Sequence, residues 1–163
     1  MYSGLLNRLS LTRAGTNLVD LSVDEVVRAE LAAGLLSPVL WDDFAGRSRA
    51  AIDGLRGWLD ERRAAGRKVA GYGAAAKGNT LMNAAGVASD DLVLVVDGSE
   101  AKQGRFLPGT HVPVAAPQVL ADTEVDDVLI LPWNIAPEIR GLVAELTPGA
   151  TCWIAVPEMR ALS

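Results

Sequence analysis

The stretch Gly71-Tyr72-Gly73-Ala74-Ala75-Ala76-Lys77-Gly78-Asn79-Thr80 constrains this chain more than any other. An apolar run from Lys68 to Tyr72 hands over there to a small-residue helix that ends near Gly86. Gly71, Gly73 and Ala76 give G-x-G-x-x-A at a strand-to-helix turn, where backbone amides can approach a phosphate at a helix start. The same small residues also suit plain close packing of a helix on a sheet, so the spacing alone leaves both readings open. The Lys77-Gly78-Asn79-Thr80 that follows is absent from an ordinary dinucleotide fingerprint.

The rest of the chain supplies the frame for such a turn. Apolar runs at 69–72, 92–96, 128–131 and 152–156, with a shorter one at 111–114, alternate with helical patterns at 75–85 and 137–146 and a short one at 117–121. Continuous Val/Ile/Leu runs of this length, separated by helices, are strands buried on both faces of a parallel sheet. The expected fold is α/β and Rossmann-like: a mainly parallel, five-stranded sheet ordered 3-2-1-4-5, with helices on both faces. A helical N-terminal arm, residues 1–66, precedes this body at 67–163 and packs on it. Residues 1–21 carry no clear pattern. Ser22 and Glu25 read as a capping box opening a helix that stops near Gly34. Ser37-Pro38 starts a longer one whose stripe of Trp41, Phe44, Ser48, Ile52, Leu55 and Leu59 faces a core, with Arg62, Arg63 and Gly66 at its end.

Composition narrows the class. With 163 residues, half of them hydrophobic and 21% charged, the chain is long enough for one core. A net charge of −5 with no Lys/Arg run argues against a nucleic-acid partner. No apolar run approaches the roughly 20 residues of a membrane span, and no signal-peptide core opens the chain. The single Cys152 cannot form an intramolecular disulfide, which fits a reducing, cytoplasmic setting. One histidine and one cysteine give no metal-site spacing.

In this fold, ligands bind beyond the carboxyl ends of the strands, at the switch point between the first and fourth. That places Tyr72 to Thr80, Asp97, and Pro132-Trp133-Asn134 around one cleft. Asp97 lies 24 residues after Gly73, where a dinucleotide fold keeps its ribose-binding carboxylate, although an Asp after a strand is also a common turn residue. Trp133 and Asn134 can stack on and hydrogen-bond a base or sugar, or Trp133 can simply cap the core. His111 lies in a turn-rich segment and has no Ser or Cys nucleophile at a recognisable spacing.

Four motifs taken together resemble the C-terminal domain of sugar C-methyltransferases. They are Gly71 to Leu81, then Val96-Asp97 with Lys102-Gln103-Gly104, then Pro108-Gly109-Thr110-His111-Val112-Pro113-Val114, then Leu131-Pro132-Trp133-Asn134. The similarity covers about residues 38–158. Members of that family use S-adenosylmethionine to methylate a carbon of a nucleotide-linked deoxysugar in antibiotic pathways. The resemblance implies three parts: a zinc-binding domain, a middle domain that binds S-adenosylmethionine, and a Rossmann-like third domain that closes over the nucleotide-sugar.

This chain looks like the third part alone, cut from a longer enzyme or standing by itself. It has no cysteine cluster for zinc, no acidic glycine-rich methyl-donor loop ahead of the motif, and no match to the middle domain's His/Tyr/Glu set. The expectation is that the chain binds no cofactor, that S-adenosylmethionine serves the full enzyme, and that the isolated chain does not turn over. The implied cleft residues are Gly71, Tyr72, Gly73, Ala76, Lys77, Asn79, Thr80, Asp97, Lys102, His111, Trp133 and Asn134, with no catalytic residue assigned. The partners implied are a nucleotide-sugar or similar small molecule and a methyltransferase domain or subunit, in cis or in trans. Two other readings stay open: a stand-alone nucleotide-, dinucleotide- or CoA-binding domain, and a non-catalytic partner subunit of a separate methyltransferase.

Overall fold

A computed structural model describes residues 21–162. The patternless first 20 residues lie outside them. Helix α1 runs Leu21–Ala32 and α2 runs Pro38–Ala64. The chain divides into two compact units between Asp43 and Phe44, inside α2. Because α1 begins at Leu21, Ser22 already lies within the helix and not at the cap position ahead of it.

From residue 69 onward, strand and helix alternate as expected. The strands are β1 Val69–Tyr72, β2 Val95–Val96, β3 Val114–Ala115, β4 Asp127–Ile130, β5 Thr151–Ile154 and β6 Arg160–Ala161. Helix α3 is Ala76–Ala84 and α4 is Ala136–Leu146, with 3-10 turns at Pro117–Asp122 and Trp133–Ile135. The sheet order is β3-β2-β1-β4-β5-β6. Pairs β1–β2, β1–β4, β2–β3 and β4–β5 are parallel, and only β6 runs antiparallel, on β5. The sheet thus has six strands where five were expected. The extra one has two exposed residues and no apolar run to announce it.

Period-2 alternation sorts the side chains between two layers. On one face Val69, Val95, Leu129 and Leu131 pack with Leu55, Trp58 and Leu59 of α2 and Met82 and Ala85 of α3. On the other, Val128, Ile130, Cys152 and Ile154 pack with Ala136, Ile139 and Val143 of α4. Ala70, Leu94 and Val96 meet Leu120 of the 3-10 turn on that same side. Of the stripe expected along α2, Leu55 and Leu59 are buried in this core and Ile52 packs against it. Trp41 and Phe44 are 51% and 56% exposed, while Trp58, absent from the expected stripe, is buried beside Leu55 and Leu59.

Charge fastens the sheet's lower edge. Asp127, at the start of β4, is fully buried, and its carboxylate accepts from Arg67 Nε at 2.6 Å and Trp153 Nε1 at 2.8 Å. The Arg62 guanidinium lies over the rings of Trp58 and Trp153, at 5.8 and 5.4 Å. Asp91 takes both Arg56 nitrogens at 2.8 Å and also pairs with Arg63. The Arg56 bonds hold its carboxyl below the ordinary value against the opposing effect of burial. The Asp127 group lies at the amino end of β4, and the Asp91 group joins α2 to the segment ahead of β2.

The layer assignment has a direct test in urea unfolding. Leu59→Ala should cost about 2–5 kcal/mol because the cavity opens between α2 and the sheet. Val39→Ala, on the exposed start of α2, should stay within about 0.5 kcal/mol.

Candidate functional site

The carboxyl ends of β1 and β4 are adjacent, in register from Val69↔Asp127 to Tyr72↔Ile130. The chain leaves each strand at a point where it must come very close to its neighbour. Gly73 has φ +88, and a Cβ there would stand 2.5 Å from Cγ of Pro132. A Cβ on Gly78, inside α3, would stand 2.5 Å from Cβ of Leu131. Glycine is required at 73 for both conformation and space, and at 78 for space alone. The bland reading of the glycine turn, close helix-on-sheet packing, therefore holds for both residues. That packing also builds a cleft.

With α3 seated so closely, the cleft residues of two distant motifs meet. Lys77 Nζ sits 5.4 Å from the centre of the Trp133 ring. Lys77 and Asn134 are exposed and Trp133 is half-buried. Ala75 precedes α3 in an extended conformation and makes no side-chain cap hydrogen bond to the amides of the first turn. Asn79 Oδ1 is buried without a hydrogen-bond partner. Thr80 Oγ1 donates to the Ala76 carbonyl at 3.0 Å, which spends its proton inside the helix.

Asp97, at the carboxyl end of β2, is 9% exposed and fully engaged within the chain. Its Oδ2 accepts from the Ala74 amide at 2.7 Å and from Lys102 Nζ at 3.0 Å, and its Oδ1 accepts from the Ser99 amide at 2.8 Å. Lys102 Nζ also donates to the Ala74 carbonyl at 2.9 Å, and Gln103 Nε2 donates to the Asp97 carbonyl at 2.9 Å. Burial alone would raise the Asp97 pKa, but the Ser99 amide, Lys102 and the Ala74 amide outweigh it and hold the carboxyl below its ordinary value. Burial, and then the charge on Asp97, push the Tyr72 phenol up, so that it stays protonated.

The structure therefore brings Gly73 against Pro132 and Lys77 over Trp133 at one rim, with Ala76 and Asn134 next to them in sequence, while the Asn79 Oδ1 is buried. Gly71 is buried within β1 against Val95, where a Cβ would lie 2.7 Å from Cγ2. Tyr72 packs below, between the clusters on the α4 side. His111 stands apart in an exposed loop with φ 58, and its amide donates to the Leu107 carbonyl at 3.0 Å. That loop is fastened to α3 by Asn83, whose Nδ2 donates to the carbonyls of Asn79 at 2.8 Å and Pro108 at 3.0 Å. Asn83, Pro132 and Ala74 hold the rim together; Ala74 and Pro132 lie in the stretches the sequence placed around the cleft, and Asn83 does not. Gly78 offered the one usable hint, since a glycine inside a short helix is costly unless something packs where its side chain would be. Among the described residues, no group of three or more His, Cys, Asp or Glu is placed to hold a metal ion, and no helix is long and apolar enough to cross a membrane.

A Rossmann-like sheet with a lysine-bearing glycine turn against a Pro-Trp-Asn turn defines a domain class. Residues 4–157 match the family described as the C-methyltransferase C-terminal domain, and the chain belongs to that family. The match reaches closer to the N-terminus than the motifs alone indicated. C-methyltransferase NovU of Streptomyces niveus is 30% identical over 164 residues, an alignment that takes in 100% of this chain. This chain spans 39% of that relative's length.

Two outcomes are expected at the rim. Gly73→Ala, strained by its φ and by Pro132, should lose more than about 1 kcal/mol, whereas Gly98→Ala, with open space and ordinary φ, should be neutral or slightly stabilising in thermal unfolding. The depressed Asp97 pKa stabilises the fold in full above the unfolded carboxylate range, near pH 4, and that contribution disappears as pH falls through the folded value. Denaturant titrations across pH should therefore show wild type and Asp97→Asn far apart at pH 6 and converging in acid.

Proposed function

We propose that this chain is the substrate-side domain of a C-methyltransferase acting on a nucleotide-linked deoxysugar, in the cytoplasmic synthesis of a secondary metabolite such as an antibiotic. One observation carries the reading: Lys77 of the glycine turn stands over Trp133 of the turn after β4, at the switch point of the sheet. A nucleoside diphosphate bears about two negative charges, and a helix N-terminus with one lysine is a suitable receptor for it. Trp133 offers an aromatic face to the base or sugar, and Asn134 an exposed amide.

S-adenosylmethionine does not fit these residues. Its sulfonium is a cation, and both Lys77 and the start of α3 present positive charge to the rim. The carboxylate best placed to receive an adenosine ribose, Asp97, is occupied by Lys102 and two amides. No methyl-transfer step is assigned to this chain. Abstraction of a proton next to a sugar ketone needs a base, and Tyr72, held protonated, is not one. In this reading the methyl donor and the base come from a methyltransferase domain or subunit acting with the chain, in cis or in trans.

The occupied Asp97 also weighs against the dinucleotide reading, and Lys77 over Trp133 favours a nucleotide-sugar over a purely scaffolding partner subunit. Lys77→Ala should weaken binding of a thymidine diphosphate-sugar about ten- to a hundredfold in calorimetry, the worth of one charge-assisted contact, with little change in melting temperature. In the same instrument, S-adenosylmethionine and NADH should give no saturable heat. Unaltered sugar-nucleotide affinity in the variant, or tight S-adenosylmethionine binding by wild type, would contradict the proposal.

A further inference from the structure

The loop after β2 carries a device whose two charged members both look like ligand contacts in the sequence and are spent on the chain's own backbone. The Ala74 peptide groups are gripped from both sides: its N–H donates to Asp97 Oδ2 at 2.7 Å, and its C=O accepts from Lys102 Nζ at 2.9 Å. The ring closes through the Lys102–Asp97 ion pair at 3.0 Å. Two further bonds fix Asp97 within its own loop, Ser99 N–H to the carboxylate Oδ1 at 2.8 Å and Gln103 Nε2 to the Asp97 backbone carbonyl at 2.9 Å. On the other side of Ala74, the Gly73 amide donates to the Val96 carbonyl at 2.6 Å, and the Ala75 amide donates to the Gly73 carbonyl at 2.8 Å. Ala74 is the last residue before the Ala75 cap of α3, so its orientation sets where the first turn of that helix points.

We propose that Asp97 and Lys102 are positioning residues: as a pair they hold the Ala74 peptide groups and so aim the first-turn amides of α3 and Lys77 at the ligand. The inference rests on the anion-receiving rim argued above. It reassigns two residues from ligand contact to alignment of the groups that make it. Asp97 is nearly buried and both its oxygens are taken. Lys102 is half-exposed, yet two of its three donors are committed to Asp97 and Ala74. A direct phosphate contact by Lys102 would have to break the grip that orients the turn. Removing either partner breaks the ion pair that closes the ring and loosens the other's hold on the same peptide, so the two act as a unit.

The test uses Lys102→Met, Lys102→Arg, Asp97→Asn and the Lys102→Met/Asp97→Asn double variant. Two readouts are taken: affinity for thymidine 5′-diphosphate by calorimetry, and amide hydrogen exchange at residues 74–78 by NMR in the unliganded protein. Positioning by a pair predicts that Lys102→Met and Asp97→Asn each weaken binding about tenfold and that the double variant is no worse than either. It also predicts that Lys102→Arg restores most of the affinity and that exchange at Ala74 accelerates in every weakened variant. A direct contact predicts otherwise: Lys102→Met weakens binding, whereas Asp97→Asn, which frees the lysine, leaves it equal or tighter. That split overturns the proposal, as does unchanged exchange at 74–78 in Lys102→Met. If wild type shows no binding to thymidine 5′-diphosphate, the functional reading fails. The grip is then judged by exchange alone, acceleration sustaining it and its absence overturning it.

Discussion

Everything at the carboxyl end of this sheet depends on one steric fact: the Pro132 ring occupies the space where a side chain on residue 73 would begin. Gly73, at φ +88, lets the turn after β1 press against the turn after β4, and Gly78 lets the next turn of α3 press against Leu131 in the same way. A methyl group at either position would lift the helix off the strand by the better part of an ångström or more. Lys77 lies between those two contacts, and Trp133 follows Pro132 directly. Their approach to 5.4 Å is therefore a consequence of backbone packing, held without any hydrogen bond between the two side chains.

The contact works because the rest of the molecule makes both turns rigid. On the β2 side, Asp97 and Lys102 hold Ala74 by its amide and carbonyl. On the far side of α3, Asn83 links the helix to the loop at Pro108. At the opposite end of the sheet, the buried Asp127, with Arg67 and Trp153, fixes the start of β4, so the strand that carries Pro132 cannot slide. The charged groups of this domain thus divide by place. Those at the amino end of β4 satisfy one another, and those after β2 grip the backbone. Lys77 alone of the site cations faces outward against an aromatic ring.

Much of this was legible in the sequence, for identifiable physical reasons. The 69–72 and 128–131 runs are fully apolar and bounded by turn formers, so β1 and β4 lie within one residue of expectation, and α3 and α4 follow from small-residue and 3.6-residue patterns. Strands β2 and β3 shrink to two residues each because the chain leaves the ladder early to build the loop between them, a choice that apolar runs do not encode. Along α2, Trp41 and Phe44 fit a helical stripe by spacing yet stay exposed, since spacing fixes a face and not what covers it. That Lys77 of the glycine turn and Trp133 of the turn after β4 lie close together was readable from motif and topology. The engagement of Asp97 by its own chain was not. Its position matches a ribose-binding carboxylate, and only side-chain geometry reveals that Lys102, five residues on, has taken it.

The central claim is that glycine-enforced packing makes an anion receptor out of the start of α3, Lys77 and Trp133. Its most direct measurement is a crystal structure of this chain soaked with thymidine 5′-diphosphate. The account predicts diphosphate oxygens about 2.7–2.9 Å from Lys77 Nζ and against the amides of Ala76, Lys77 and Gly78, with the base or ribose on Trp133. A diphosphate bound elsewhere on the domain, with Lys77 still resting on Trp133 and the first turn of α3 untouched, would contradict it.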